Sequence, residues 1–344
     1  MIEIDDLQPA DSQEMTLPRR IPGDWRTGWT QPEPSAPQAQ APFLQHPEPE
    51  APAFDDEGRA PATYGWMESA LPQRNGKVFT VASASGGCGK TFFSTNFAFY
   101  LAGATGGKVL LVDLDLQFGE VATSLHLRPG SDISGLVNQE DTGACLAHNV
   151  VGHRHNLDIL CAPEDPIAAE VVGPAVTTEI LRAAREQYDY IVVDTPPSIN
   201  EVVLSAFDQS AALVVMATAD VPSLRNMRVF LNTLQRLHLP AEEVHIVINK
   251  AEKGTGVEIE DARQIFPQGF SAVLPYSREV HRSLNMGVPV VESSASSEIG
   301  RGLLEASAKL APPAPGVSIP GTSAATTVRG DGWWRRLAGW FRFA

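Results

Sequence analysis

The chain predicts an α/β fold, a mostly parallel twisted sheet with helices on both faces. Three observations predict it. Apolar, β-branched runs alternate with helix-patterned stretches across residues 76–310. Several of those runs are apolar throughout rather than at every second position, as strands covered on both faces must be. And the first run leads straight into a glycine-rich turn and then a helical pattern, the strand–turn–helix unit on which a phosphate-binding loop is built.

In chain order, Val78–Ala82 reads as the first strand and the stretch from Phe92 to Leu101 as the helix after the turn. Lys108–Val112, Leu157–Cys161, Tyr190–Val193, Ala211–Ala217, Val244–Ile248 and Ala272–Leu274 read as further strands, with helices over Thr178–Gln187 and Ser223–Leu237 among the stretches between them. The flanks read differently. Residues 1–75 hold 12 of the 27 prolines, with apolar residues sparse and unpatterned, so they cannot bury enough surface to offset their ordering entropy. They are expected to be a disordered, acidic, proline-rich arm. Residues 311–330 read as a flexible Pro/Ser/Thr/Gly linker. Residues 331–344 form a tail in which Trp333, Trp334, Leu337, Trp340 and Phe341 share about a third of a helical wheel, with Arg335 and Arg342 opposite. That pattern suits a membrane interface with anionic head groups, or equally a tail that packs on protein.

The net charge of −15 is spread unevenly: −8 over residues 1–75, +3 over 312–344, and hence −10 over 76–311. An acidic body argues against broad DNA binding, which needs Lys and Arg to displace counterions. Three widely spaced cysteines, Cys88, Cys145 and Cys161, make neither a disulfide framework nor a CxxC pair, and their spacing carries no iron–sulfur signature. No run has the length of a membrane span, and the acidic N-terminus lacks the apolar core of a secretory signal. The expected setting is the cytoplasm, with the tail as a peripheral contact on the inner face of the cell membrane.

The chemistry is concentrated in Ala84–Thr91. Glycines at 86, 87 and 89 let backbone N–H groups crowd around phosphate oxygens, and the helix N-terminus adds positive potential. Lys90 is placed to reach the β- and γ-phosphates, and the Thr91 hydroxyl to hold Mg2+. Position 84, where the strict G-x-x-x-x-G-K-[ST] pattern has glycine, is alanine. Cys88 reads as a small apolar filler in the loop. The second strand ends in Asp113-Leu114-Asp115 and a later one in Asp194-Thr195-Pro196-Pro197, so in a parallel sheet three carboxylates converge on the loop's edge. The competing reading makes each Asp the cap of a following helix.

With these residues in view, the chain resembles the MinD/ParA-type deviant P-loop ATPases. That family shows K-G-G-x-G-K-T, then D-x-D, then D-T-P-P; here these stand as Ser85–Thr91, Asp113–Asp115 and Asp194–Pro197. Pro275–Pro289 matches the family's late proline-and-glycine segment, and the resemblance spans about 76–310. Within the family the chain looks most like the CpaE/TadZ-type Flp pilus-assembly proteins, through Glu186–Pro197, Asp220–Arg225 and Ile246–Lys250. The resemblance implies ATP and Mg2+ as ligands. Ser85, Gly86, Gly87, Cys88, Gly89 and Lys90 would line the phosphates, and Asn249 would face the adenine. Asp115 would serve catalysis by positioning or activating the attacking water, and Lys90 by its contact with the phosphates. Thr91, Asp113 and Asp194 would serve the metal. It further implies a homodimer and pilus or secretion-assembly proteins as partners.

Two departures stand out. The family's signature lysine falls at position 85, which is serine here, so a cation that offsets transition-state charge is missing and hydrolysis is expected to be slow. The receiver-like domain common at the N-terminus of CpaE-like proteins is replaced by the proline-rich arm. The expected function is an ATP-binding organiser of pilus or secretion machinery. A non-hydrolysing scaffold and a septum-site or partition ATPase are the alternatives. A P-loop tyrosine kinase is disfavoured, because the tail has Trp and Arg where a tyrosine cluster would stand.

Overall fold

Every position of β1 (Lys77–Ala82) past the first is buried, which places this strand in the middle of a sheet covered on both faces. A computed structural model describes residues 74–317, apart from 154–155, 238–242, 253 and 255–256. The expectations for the acidic arm up to residue 73, for the linker beyond 317 and for the amphipathic tail lie outside the described residues.

After β1 come α1 (Lys90–Thr105), β2 (Val109–Asp113), α2 (Val121–Ser124), α3 (Thr142–Asn149), β3 (Val151–Gly152), β4 (Leu157–Leu160), α4 (Pro166–Ala169), α5 (Pro174–Gln187), β5 (Tyr190–Asp194) and α6 (Glu201–Gln209). The chain continues through β6 (Ala212–Thr218), α7 (Val221–Arg236), β7 (Glu243–Ala251), α8 (Ile259–Ile265), β8 (Ala272–Pro275), α9 (Arg278–Met286), α10 (Val290–Ser293) and α11 (Glu298–Leu310). The eight strands form one sheet in the order β3-β4-β2-β5-β1-β6-β7-β8. All neighbours are parallel except β3, which runs antiparallel to β4 at the edge.

Alternate strand residues feed opposite layers. Phe79, Val81, Leu111, Val192 and Val214 pack with Phe93 and Phe97 of α1, Val290 of α10 and Leu303 of α11. On the other face Leu110, Val112, Ile191 and Val193 meet Leu146 of α3 and Ile180 and Leu181 of α5. Further along that face Leu213, Val215, Ile246 and Ile248 meet Phe207 of α6, Leu224, Met227 and Phe230 of α7, and Phe266 of α8. Each such large apolar side chain, fully buried, contributes about 1.5–3 kcal/mol. The start of α7 is set locally: the Asp220 carboxylate accepts the Ser223 N–H at 2.8 Å, and Pro222 occupies the first turn.

The fold agrees with the expected class, with three differences of detail. The helix after the loop is longer than its apolar pattern, running to Thr105 and stopping where Gly106 turns left-handed at φ +70°. The edge strand β3 was not foreseen, because two residues carry no period and only their pairing to Ile159 and Asp158 makes them a strand. The ordered body also overruns the expected boundaries at 75 and 311. Arg74 pairs with Asp189, and Arg185 Nη2 donates to Asn75 Oδ1 at 2.7 Å. Ala311 is buried, its carbonyl accepts the Tyr100 hydroxyl at 3.0 Å, and Ala314 N–H donates to the Ala104 carbonyl at 3.0 Å.

His245 of β7 is buried between Ser271 Oγ (3.2 Å from Nδ1) and Glu243 Oε2 (3.0 Å from Nε2). Burial holds its pKa below the ordinary value, with Glu243 opposing. The depressed value means stability is present above about pH 6.5 and is lost as pH falls through the folded-state pKa. Urea unfolding between pH 7.5 and 5 is therefore expected to show a larger loss for the wild type than for His245→Gln, which keeps polar contacts without titrating. Parallel losses would show that His245 carries no share of the pH dependence.

Candidate phosphate-binding site

Between β1 and α1 the chain turns through Ser83–Gly89 using two left-handed glycines, Gly87 at φ +70° and Gly89 at φ +88°. Gly89 is the N-cap of α1, so the first turn of a 16-residue helix opens at the loop. A Cβ at Gly89 would lie 2.4 Å from Asn249 Nδ2, so this position excludes any side chain by both space and φ.

The loop's carbonyls are held from outside. Ser83 Oγ donates to the Ser85 carbonyl at 2.7 Å, and Cys88 Sγ approaches the same oxygen at 3.2 Å. Asn249 Nδ2 donates to the Cys88 carbonyl at 2.9 Å and Lys250 Nζ to the Gly87 carbonyl at 2.8 Å. Cys88 is buried, with Sγ 3.7 Å from Ser223 Oγ of α7, consistent with a filler. Ser85 accepts a hydrogen bond on Oγ from Asn226 Nδ2 at 3.1 Å. Gly86 and Gly87 are exposed, while Lys90 is buried at 8% exposure.

The β2 and β5 ends lie side by side in register, Asp113 opposite Asp194. Asp194 accepts the Thr91 hydroxyl at 2.6 Å and the Ser94 hydroxyl at 3.0 Å. Asp113 accepts the N–H groups of Asp115 at 3.1 Å and Val121 at 3.1 Å. Asp113 thus holds the first N–H of α2 without being its N-cap, which is Glu120. Both carboxyls are buried, and burial raises both pKa values. The charge of Asp194 adds to the rise at Asp113, while the Thr91 and Ser94 hydroxyls and Lys90 oppose it at Asp194. Asp115, half-buried, faces the same edge and adds repulsion to both.

This donor set fits Mg2+. Two buried carboxylates and a hydroxyl are hard oxygen ligands, and their mutual repulsion is what a divalent cation relieves. Among the described residues no group of three or more His, Cys, Asp or Glu side chains is placed to bind a metal by itself, so such an ion would rest on Thr91, on waters held by the carboxylates and on phosphate oxygens.

The structure therefore brings Lys90, Thr91, Asp113, Asp115 and Asp194 to one edge with the loop. Asn249 comes there too, with Nδ2 donating to the Cys88 carbonyl and Oδ1 accepting the Lys250 N–H at 2.8 Å. Sequence reasoning missed Ser94, Asn226 and Lys250. Ser94 was legible in principle, being one turn from Thr91 on the same helix face. A polar cavity of about 470 Å3 lies at the opposite edge, lined by Lys108, Asp158 and Asp189 among others. It lacks the loop, the helix N-terminus and the carboxylate pair, so the chemistry sits at the loop edge. A smaller cavity of about 290 Å3, between Ser83, Pro197, Ile199 and Val229, borders that edge.

Comparison with known proteins agrees with this geometry. Residues 76–246 match the family described as AAA domain. The chain is 32% identical over 197 residues to the chromosome-partitioning ATPase Soj of Thermus thermophilus, covering 56% of this chain and 74% of that protein. The chain belongs to the MinD/ParA family of P-loop ATPases. Among solved structures, a ParA family ATPase from Chlorobium tepidum superposes with a TM-score of 0.63 at 24% identity, over 69% of this chain and 99% of that one. The septum site-determining protein MinD from Pyrococcus horikoshii, complexed with Mg-ADP, gives 0.61 at 19% identity, over 68% and 96%. These two likenesses speak to the fold. Membership fixes the family of the loop described above, while the CpaE/TadZ subgroup is not distinguished by these relatives.

Gly89→Ala is expected to push Asn249 off the Cys88 carbonyl and to strain the loop at a positive φ. Thermal denaturation should show a loss on the order of 1–3 kcal/mol. An unchanged melting temperature would mean the Asn249 contact is slack.

Proposed function

We propose that the chain binds Mg-ATP at the Ser83–Thr91 loop and uses it to position a larger assembly. The observation that carries the binding step is the placement of Lys90 and the Thr91 hydroxyl beside the buried Asp113–Asp194 pair, at a helix N-terminus that opens on the glycine loop. The loop and Lys90 would take the phosphates, and Thr91, Asp113 and Asp194 would hold the metal and its waters. Asp115, half-buried at the same edge, would orient an attacking water. Bound Mg2+ would neutralise charge on the phosphate oxygens. The MinD structure with Mg-ADP supports nucleotide and metal use by this fold.

For the assembly we propose the pilus or secretion machinery implied by the resemblance to CpaE/TadZ-type proteins. The names of relatives, Soj and MinD, favour a second reading, a partition or septum-site ATPase. The acidic body weighs against the DNA-dependent form of that reading. A homodimer would suit either.

Calorimetry on the full chain is expected to show Mg-ATP binding that Lys90→Ala weakens at least tenfold, a loss of about 1.4 kcal/mol or more. No binding by the wild type would remove the proposal. Hydrolysis is expected to be slow, because Ser85 brings no cation to the loop, and Ser85→Lys to raise the phosphate-release rate. A brisk wild-type rate abolished by Asp115→Ala would show that another group supplies that charge.

No described helix is long and apolar enough to cross a membrane. For the tail we propose peripheral adsorption, with the Trp/Phe stripe at the interface and the arginines on anionic head groups. Full-length protein is expected to co-sediment with anionic vesicles, less so at high salt, and a chain lacking residues 331–344 to stay in solution. Equal sedimentation of both would assign the tail to protein docking.

A further inference from the structure

The end of β7 is irregular in a way that the sheet does not require. Its pairing with β8 shifts register between Ile248 and Ala251. Within that shift Lys250 takes a left-handed backbone conformation, φ +53°, that a lysine rarely adopts. Such strain persists only where neighbouring contacts impose it. Here the contacts are visible. The left-handed turn brings the Lys250 N–H to 2.8 Å from Asn249 Oδ1, which fixes the orientation of that amide. The amide's other end, Nδ2, then donates to the Cys88 carbonyl at 2.9 Å. The lysine side chain reaches back over the loop, and Nζ donates to the Gly87 carbonyl at 2.8 Å.

Two consecutive loop carbonyls are thus held toward β7 by two consecutive residues. A trans peptide is planar, so its C=O and N–H point in opposite directions. Holding the Gly87 and Cys88 carbonyls toward β7 therefore turns the N–H groups of Cys88 and Gly89 to the far side of the loop. Left alone, a loop with glycine at 86, 87 and 89 would rotate these peptides at little cost. A phosphate cradle needs them fixed, because donors already aimed at an anion spend no free energy on reorganising.

We propose that Asn249 and Lys250 form a clamp from β7 to the phosphate loop, with Lys250 a positioning residue that acts on the Gly87–Cys88 peptide and not on the ligand. The proposal rests on the phosphate-binding reading of the loop. It also gives Asn249 a part distinct from facing a base.

The clamp has a signature that separates it from direct contact. An ammonium that met the γ-phosphate would matter for ATP and tripolyphosphate and not for ADP. A side chain laid against the base would matter for nucleotides and not for tripolyphosphate. A residue that aims the loop's N–H groups matters equally for all three. The experiment measures binding of Mg-ATP, Mg-ADP and Mg-tripolyphosphate to the full chain by calorimetry, for wild type, Lys250→Met and Lys250→Arg. Alongside, amide hydrogen exchange of Cys88 and Gly89 is followed without ligand. Lys250→Met is expected to weaken all three ligands by a similar factor, about threefold to tenfold, the net range of one ordinary hydrogen bond. Exchange at the two amides should quicken by a comparable factor. Lys250→Arg, which keeps a charged donor, should restore both to within about twofold. Loss confined to ATP and tripolyphosphate, loss confined to the two nucleotides, or unchanged exchange in Lys250→Met would each overturn the clamp. If the wild type binds none of the three ligands while exchange still responds to Lys250→Met, the clamp stands as a loop-ordering device and the phosphate-binding reading falls, together with the positioning role.

Discussion

The site depends on the position of β5 between β1 and β2. With β5 inserted there, Val81 lies opposite Asp194 on one side and Asp113 opposite Asp194 on the other. The loop that leaves β1 and the carboxyls that end β2 and β5 then share one edge without any loop having to reach. The register is guarded by burial. Shifting β5 by one residue would turn Ile191 and Val193 out of one apolar layer and Val192 out of the other. Thr195 adds a lock, its hydroxyl donating to the Val81 carbonyl at 2.8 Å.

That placement carries an electrostatic cost. Asp113 and Asp194 are buried side by side, and like charge adds to what burial does at each, from Asp194 at Asp113 and from Asp115 at Asp194. Two hydroxyls and two backbone N–H groups offset part of it, as does Lys90. A fold seeking stability alone would not keep two carboxyls there, since apolar residues in their place would remove the desolvation term. The pair makes physical sense where a cation arrives with its ligand.

Much of this was legible beforehand because it is local or periodic. Unbroken apolar runs such as Val109–Val112 announce a doubly covered sheet, and a glycine turn between a strand and a helix announces a phosphate loop. The carboxyls were legible through one topological rule, that parallel strands deliver their C-terminal ends to one edge. What escaped was set by tertiary geometry. Nothing in Ile246–Lys250 indicates that the strand will bulge, that Lys250 will turn left-handed, or that its ammonium will lie over Gly87. Asn226 is one of several polar residues on the outer face of α7, and only the approach of that helix to the loop makes it a partner of Ser85. Asn249 was placed at the site by resemblance, but its two contacts there, one N–H on the Cys88 carbonyl and its oxygen on the Lys250 N–H, come only from tertiary geometry.

The distribution of cations around the loop follows from the same geometry. Lys90 is buried on the inner side, close enough to Asp194 to lower its proton affinity. Lys250 is outside, on a carbonyl. Position 85 carries a hydroxyl tied to α7 rather than a charge. The loop is therefore anchored to two elements, β7 through Asn249 and Lys250 and α7 through Ser85 and Cys88. A flexible lysine at 85 would have to leave the loop to meet a charge elsewhere, whereas a serine bonded to Asn226 draws α7 onto the loop. In this chain the loop position that lacks a charge is the one hydrogen-bonded to the exposed outer face of α7.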